Sequence, residues 1–168
     1  MGYRADLTAT QVRSLLSYDP KTGEFLWRET RSYQALAGKP AGWFYNGYRW
    51  IVIDRVRYAA HRLAWLIMTG AWPVDQIDHR DMDRGNNRFA NLRQASRAQN
   101  NANRRKVLPT QLKGVTRAGP LNKTNPWVAQ IALNKQHFNL GYYPTEQAAH
   151  EAYCRAARKL FGEFARTE

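Results

Sequence analysis

Short apolar segments separated by turn signals constrain the fold of this chain more than any other feature. The longest uninterrupted apolar run is LAWLIM, from Leu63 to Met68, which is far too short to span a bilayer. The start of the chain, MGYRADLTATQ, is too polar for a signal peptide, and a single cysteine, Cys154, excludes an intrachain disulfide. We therefore expect a soluble cytoplasmic α+β protein, in which an apolar content of 43% supplies the core.

The first half alternates helix and strand signals. Thr8 and Gln11 form a capping-box pattern that predicts a helix start, with Leu7 and Val12 as a hydrophobic staple. YDPKTGEFLW then predicts a turn that leads into a strand. GYRWIVI and VRYAA predict a hairpin that turns at residues 54–55, and AHRLAWLIMTG predicts a helix that ends near Gly70.

The second half has a different rhythm. LKGVTR, PWVAQIAL and QHFNLGYY are three β-like runs, and Asn134-Lys135 offers a tight turn between the last two. TEQAAHEAYCRAARKLFGE follows as an amphipathic helix between a Thr145 cap and Gly162. This order predicts a three-stranded antiparallel sheet with a helix across it. The apolar face of that helix is expected at Ala148, Ala149, Ala152, Tyr153, Ala156 and Leu160.

A linker and a strong positive charge complete the organisation. NANRRKVLPTQLKG, at residues 101–114, reads as a linker, and we divide the chain into domains at 1–106 and 107–168. The net charge is +13, with 18 Lys and Arg against 9 Asp and Glu in the first domain and 8 against 4 in the second. A field of one sign attracts nucleic acid, although a generic solubilising charge is the alternative.

The segment IDHRDMDRGNNRFANLRQASRAQNN, residues 77–101, carries the candidate chemistry. Asp78 and His79 follow the short segment VDQI. Neighbouring side chains in a strand point to opposite faces, but at the end of a strand both can reach one site. Ser96 and Gln99 form a second capping box that places Asn100 near a helix start. A carboxylate and an amide suit a hard cation such as Mg²⁺, and an imidazole deprotonates water near neutral pH. The alternative is an ordinary turn or a satisfied polar cluster.

The same segment resembles the HNH endonuclease signature, a ββα-metal motif, in the branch of phage and intron-encoded homing endonucleases. The likeness extends upstream through AHRLAWLIMTGAWP and GYRWIVI, and covers roughly residues 15–106. It implies that His79 is the general base, that Asp78 and Asn100 bind one divalent metal, and that Asn91 ties the loop together. Asn100 stands where many members have His, which favours Mg²⁺ or Mn²⁺ over Zn²⁺; Asn101 is the alternative ligand if the alignment is shifted by one.

The same resemblance implies supporting roles for other residues in this segment and upstream of it. His61 is expected to be structural or to face a phosphate. Asn87 supports the site or touches the DNA backbone, and Asp81 and Asp83 are loop residues that could approach the metal. Three arginines are expected to contact phosphates: Arg88, Arg93 and Arg97.

The second half resembles an AP2/ERF-type DNA-binding domain. The resemblance lies in the short motifs KGV, WVAQI and LGYY and in the Ala-rich start of the last helix. In that family an exposed sheet face reads DNA. The matching positions here are Lys113, Thr116, Trp127, Gln130, Ala132, His137 and Asn139, with Arg117 adjacent. Several family arginines are replaced, so the family's target sequence is not expected. The alternative to DNA contact for Trp127 is packing in the protein core.

Together these patterns predict a site-preferring endonuclease that acts on double-stranded DNA, with no membrane and no obligate protein partner. One alternative is a non-catalytic DNA-binding regulator in which the HNH fold is a relic. Another, an RNA-binding protein, is disfavoured because the second half lacks the aromatic signature of common RNA modules.

Overall fold

The computed structural model describes residues 7–103, 112–120, 122–134 and 136–167. The chain separates into two compact units, Met1–Ala95 and Ser96–Glu168. The predicted domain boundary at residues 106 and 107 lies outside the described residues and stays a prediction. In the described part of the chain, no helix combines the length and the apolar character needed to cross a membrane.

The first unit contains two helices and three small antiparallel sheets. The helices are α1 (Ala9–Leu15) and α2 (Ala60–Thr69). The sheets pair β1 with β2, β3 with β4 and β5, and β6 with β7. The strands are β1 (Leu16–Tyr18), β2 (Phe25–Trp27), β3 (Trp43–Tyr45), β4 (Tyr48–Ile53), β5 (Val56–Ala59), β6 (Gln76–His79) and β7 (Leu92–Ala95).

Local signals set the ends of these elements as predicted. The Thr8 side chain accepts from the Gln11 backbone and the Gln11 side chain closes the capping box, which confirms the predicted helix start. Gly70 ends α2 in the left-handed conformation, with φ 81°. The predicted hairpin is also confirmed: β4 turns into β5 through Asp54 and Arg55, both at positive φ, as tight hairpin turns require.

The core of the first unit joins α1 and α2 to the strands around them. Val12, Phe25, Ile51 and Leu63 have no exposed surface and belong to one hydrophobic cluster. The cluster extends to Ile77 and Leu92 on β6 and β7, where burial of each such side chain contributes about 1.5–3 kcal/mol. The last hairpin of the unit is therefore fixed to a packed core.

The second unit is a short helix followed by a sheet and a long helix. The three-stranded antiparallel sheet has the order β10-β9-β8, which confirms the predicted sheet and its following helix. Thr145 caps the long helix by accepting from the Ala148 backbone. The elements are α3 (Arg97–Ala102), β8 (Val115–Arg117), β9 (Trp127–Leu133), β10 (Gln136–Tyr143) and α4 (Glu146–Phe161). The predicted turn at Asn134-Lys135 lies partly outside the described residues.

The apolar face of α4 was predicted partly wrongly. Ala149, Ala152 and Tyr153 are buried as expected, but Leu160 is 47% exposed, and Ala157 and Phe161 are buried instead. The helix carries two neighbouring apolar rows, so residue type alone did not distinguish them. Ala149 and Ala152, one from each row, pack toward the sheet, where they cluster with Val115 and Ala129.

Candidate active site

Asp78 and His79 are the last two residues of β6, at the strand end that the sequence predicted. β6 pairs antiparallel with β7, which places Asp78 opposite Arg93 and His79 opposite Leu92. Asp78 is 5% exposed and His79 4%. In chain order β6 and β7 are followed directly by α3, the element order of a ββα motif.

Asp78 forms a buried ion pair with Arg93. Its Oδ2 atom accepts a hydrogen bond from Nε of Arg93 at 2.9 Å and lies 2.9 Å from Nη2 of the same guanidinium. Directly opposed side chains of an antiparallel pair lie on one face, which brings the two charges together. Arg93 was expected to contact DNA phosphates, but it is only 7% exposed and its guanidinium instead neutralises the carboxylate beside His79.

Two aromatic rings lie against the imidazole of His79. The ring of His61, from α2, meets it edge-on with centroids 5.1 Å apart, and the ring of Tyr48, from β4, lies 6.1 Å away. Tyr48 also lies 5.4 Å from His61, and the guanidinium of Arg84 sits 5.0 Å above the Tyr48 ring. Tyr48 was not singled out from the sequence, because its approach to His79 depends on how the β3–β5 sheet packs.

Burial keeps both histidines neutral near pH 7. It lowers the pKa of His79, although the nearby Asn87 side chain and the charge of Asp81 oppose that shift. Burial, with repulsion from His79, lowers the pKa of His61 to about 3. The Nδ1 atom of His61 is buried and has no hydrogen-bond partner among the described residues. A neutral imidazole at position 79 is the form that accepts a proton from water.

Hydrogen bonds among Asp81, Asn86 and Asn91 close the loop that follows His79. The Asp81 carboxylate accepts from Nδ2 of Asn86 at 2.6 Å and from Nδ2 of Asn91 at 2.9 Å, and Asn91 Oδ1 accepts from the Asp81 backbone. Burial acts to raise the pKa of Asp81, but the two amide hydrogen bonds, a backbone hydrogen bond from Asp83 and the nearby His79 together hold the pKa low. Asn91 thus makes the contacts of a residue that ties this loop together.

The β1–β2 turn holds the same loop from another side. The Tyr18 hydroxyl donates to the carbonyl of Asn87 at 2.7 Å, and the Phe89 backbone donates to the carbonyl of Pro20 at 3.0 Å. A Cβ atom on Gly23, at φ 78°, would lie 2.6 Å from the Arg88 nitrogen. The sequence marked this segment as a turn but gave no sign of its approach to the loop.

The remaining residues predicted around this site divide between the two units. Arg88 is exposed in the loop of the first unit. In the second unit, Ser96 makes the predicted capping box with Gln99. Asn100 lies half-buried in the first turn of α3, beside the exposed Arg97.

The residues predicted to read DNA in the second unit lie on both faces of its sheet, as the strand register shows. Gln130 lies opposite Asn139 and Ala132 opposite His137, while Thr116 lies opposite Val128. Side-chain alternation places all of these on the face away from α4. Trp127 lies on the other face and packs against the core cluster, as its alternative role required, with the Arg117 guanidinium 5.9 Å from its ring.

A groove in the second unit collects several of these positions. It has a volume of about 880 Å³ and lies between α3 and the sheet, lined among others by Arg97, Asn101, Thr116, Gln130 and His137. Lys113 also borders it, but its ammonium donates to the carbonyl of Ala102 at the end of α3. That contact holds the side chain against the protein, and burial lowers the pKa of Lys113 to about 8.

The donor chemistry of the predicted ligand pair fits a hard cation. Asp78 offers a carboxylate and Asn100 an amide oxygen, the ligand types that Mg²⁺ and Mn²⁺ accept. Among the described residues, no group of three or more His, Cys, Asp or Glu side chains is placed to hold a metal.

Comparisons with known proteins place the chain in a family. A family described as HNH endonuclease matches residues 58–102, which run from β5 through His61, Asp78, His79 and Asn91 to the end of α3. The uncharacterized HNH endonuclease L560 of Acanthamoeba polyphaga mimivirus is 32% identical over 141 residues, which are 83% of this chain and 68% of that protein. No solved structure matches the chain. The match to L560 over most of both chains shows that this protein belongs to the HNH endonuclease family.

Proposed function

We propose that the protein is a site-preferring, metal-dependent DNA endonuclease of the homing type that hydrolyses phosphodiester bonds with one divalent cation. The observation that carries the proposal is that the Asp78 carboxylate and the buried imidazole of His79 lie next to each other at the end of β6, inside the segment that matches the family. DNA as substrate follows from the family and from the net charge of +13.

In the proposed reaction His79 accepts a proton from water, and the water oxygen attacks the scissile phosphorus as the bond to the leaving oxygen breaks. Asp78 and Asn100 would hold Mg²⁺, which would stabilise the charge on the phosphate and on the leaving oxygen. Arg93 fixes the Asp78 carboxylate through a hydrogen bond and an ion pair, and Asn91 keeps the following loop closed. General-base assistance of this kind contributes about 10²–10⁴-fold to a rate.

The second unit is proposed to hold the DNA in the manner of an AP2/ERF domain. Thr116, Gln130, His137 and Asn139 share the sheet face away from α4, and Gln and Asn side chains suit adenine edges in the major groove. Arg88 and Arg97 are exposed and available for phosphates. Two DNA-binding parts on one chain raise the effective concentration of each at the same duplex.

Metal dependence tests this proposal most simply. Cleavage of plasmid or genomic DNA is expected to require Mg²⁺, to stop with EDTA and to resume with excess Mg²⁺ or Mn²⁺. Asp78→Asn and Asn100→Ala are expected to lose cleavage, while Asn101→Ala, the neighbouring amide, is the matched control and keeps it. If only Asn101→Ala loses cleavage, the metal ligand is Asn101 and not Asn100. Cleavage that persists in EDTA would contradict the metal mechanism.

A non-catalytic DNA-binding regulator is the second candidate, and the Asp78–Arg93 pair favours it. A guanidinium that already neutralises Asp78 weakens the attraction of that carboxylate for a cation. A regulator of this kind would bind duplex DNA tightly but leave it uncut at every Mg²⁺ and Mn²⁺ concentration. Cleavage mapped to defined positions would exclude this candidate.

A further inference from the structure

The β3–β4–β5 sheet exposes an unusual number of large aromatic side chains. All three residues of β3 are exposed: Trp43 by 43%, Phe44 by 62% and Tyr45 by 64%. Trp43 lies opposite Trp50, and Tyr45 lies opposite Tyr48. Because directly opposed residues share a face, these four rings form one surface, here called the aromatic face: Trp43, Tyr45, Tyr48 and Trp50.

Over β4 and β5, the other face of this sheet packs into the core. Ile51, Ile53 and Tyr58 alternate to the inside and are buried in the core of the first unit. Trp43 and Tyr45 on the aromatic face are exposed and its other two rings are half-buried, although large aromatic groups are favoured when removed from water. Exposed apolar patches of this kind mark binding surfaces.

Arginines border the aromatic face. The Arg57 guanidinium lies 5.9 Å from the Trp43 ring, and that of Arg84 lies 5.0 Å from the Tyr48 ring. Both arginines are exposed. Aromatic rings interleaved with guanidinium groups are the combination by which proteins bind single-stranded nucleic acid, since bases stack on the rings while the cations meet phosphates.

The aromatic face reaches the candidate active site. Tyr48 is one of its four rings, and its centroid lies 6.1 Å from that of His79 and 5.4 Å from that of His61. The tip of the β3–β4 hairpin adjoins the loop after His79, where Arg84 donates to the carbonyl of Asn46 at 3.5 Å. A strand of DNA at His79 would thus have its next nucleotides beside these rings.

We propose that the aromatic face binds unpaired nucleotides of DNA next to the scissile phosphate. Base faces are accessible to protein rings only where bases are unstacked, whereas a duplex presents phosphates and base edges. The favoured substrate would therefore be duplex DNA with a locally opened or unpaired stretch at the cut. The nature of the ligand rests on the proposed nuclease function, but the stacking surface itself requires neither metal nor cleavage.

Binding by aromatic-face variants tests this proposal. The probes are a fluorescein-labelled oligothymidine of 20 nucleotides and a 20-base-pair duplex, measured by fluorescence anisotropy in EDTA so that no cleavage occurs. Trp43→Ala with Tyr45→Ala is expected to weaken binding of the single strand about tenfold or more, with less than a twofold change for the duplex. Phe44→Ala is the matched control: it is equally exposed on the same strand but points to the other face, and it should leave both affinities unchanged.

Three results would overturn the proposal. The first is that the double variant loses the same affinity for the duplex as for the single strand. The second is that Phe44→Ala weakens single-strand binding as much as the double variant does. The third is a wild-type dimer that the double variant converts to a monomer in analytical ultracentrifugation, which would make the surface an interface between copies. If the double variant does not fold, Tyr45→Ala alone carries the test, because this side chain is the most exposed of the four.

Failure of this proposal can be told apart from failure of the proposed function. Because the binding assay contains no metal, it gives the same answer whether or not the protein cuts DNA. Cleavage of a duplex with a short mismatched bubble is then compared with cleavage of the fully paired duplex. The stacking role would be refuted, and the nuclease function retained, if the protein cuts both substrates equally well and Tyr45→Ala cuts them as fast as the wild type.

Discussion

Replacing Arg93 with Met tests the buried ion pair that organises the candidate active site. The two side chains are 8% and 6% exposed, and both guanidinium nitrogens lie 2.9 Å from Asp78 Oδ2. The substitution keeps much of the aliphatic volume of Arg93 but leaves the carboxylate buried without its cation. We expect a large loss of stability in the first unit.

The magnitude follows from the geometry. Attraction between unit charges about 2.9 Å apart is about 6 kcal/mol at an effective dielectric constant of about 20, before desolvation is subtracted. Removal of one partner of such a pair destabilises proteins by about 3–5 kcal/mol. That is a large fraction of the roughly 5–15 kcal/mol by which whole domains are stable. At about 4–8 °C per kcal/mol in a unit of this size, the melting temperature should fall by at least about 12 °C.

Urea unfolding followed by circular dichroism measures this loss at pH 7. Arg88→Met is the matched control, because Arg88 is exposed in the neighbouring loop and should change stability by less than about 0.5 kcal/mol. Adding Asp78→Asn to Arg93→Met removes the uncompensated charge, so the double variant should be more stable than Arg93→Met alone. A loss in Arg93→Met no larger than in the control, or no recovery in the double variant, would refute the ion pair.

Three further predictions concern packing, pH and salt. Gly42→Ala places a Cβ atom 2.1 Å from the carbonyl of Trp50, whereas Gly38 has a similar positive φ and open space around it; thermal unfolding should show Gly42→Ala to be less stable than Gly38→Ala by at least about 2 kcal/mol, and equal losses would contradict the packing. The pKa of His61 lies near 3, below its ordinary value of 6.5, so the stability it confers above pH 6.5 is lost as pH falls toward 3. Denaturant titrations between pH 7 and 5 should show a loss about 2 kcal/mol larger in the wild type than in His61→Gln; parallel losses would show that His61 titrates normally. Affinity for duplex DNA should fall steeply with salt, with a log–log slope of magnitude about 4 or more if four or five phosphates are contacted; a flat response in fluorescence anisotropy would count against a broad basic interface.

Local signals made much of the fold predictable. The capping boxes at Thr8 and Ser96, the left-handed Gly70 and the turn at Asp54 are determined by neighbours a few residues away. Capping, turn chemistry and periodicity act over such distances and can be read from the chain. The three strands and the helix of the second unit followed from the same signals.

Long-range contacts were not predictable in the same way. The Asp78–Arg93 pair depends on the register between β6 and β7, and a shift of one residue would turn Arg93 to the opposite face. The approach of His61 and Tyr48 to His79 depends on how α2 and the β3–β5 sheet pack around it. Residue type indicated that a base, a carboxylate and amides were present, while only packing determines which arginine is buried.

The rate of DNA cleavage by His79→Ala tests the central claim most directly. Single-turnover cleavage in Mg²⁺ is compared with the wild type, and binding is measured separately in EDTA. We predict a loss of at least about 100-fold in the cleavage rate constant, with an unchanged Kd for duplex DNA and an unchanged melting temperature. A variant that binds normally and still cuts at the wild-type rate would contradict a general-base role for His79 and the proposed active site with it.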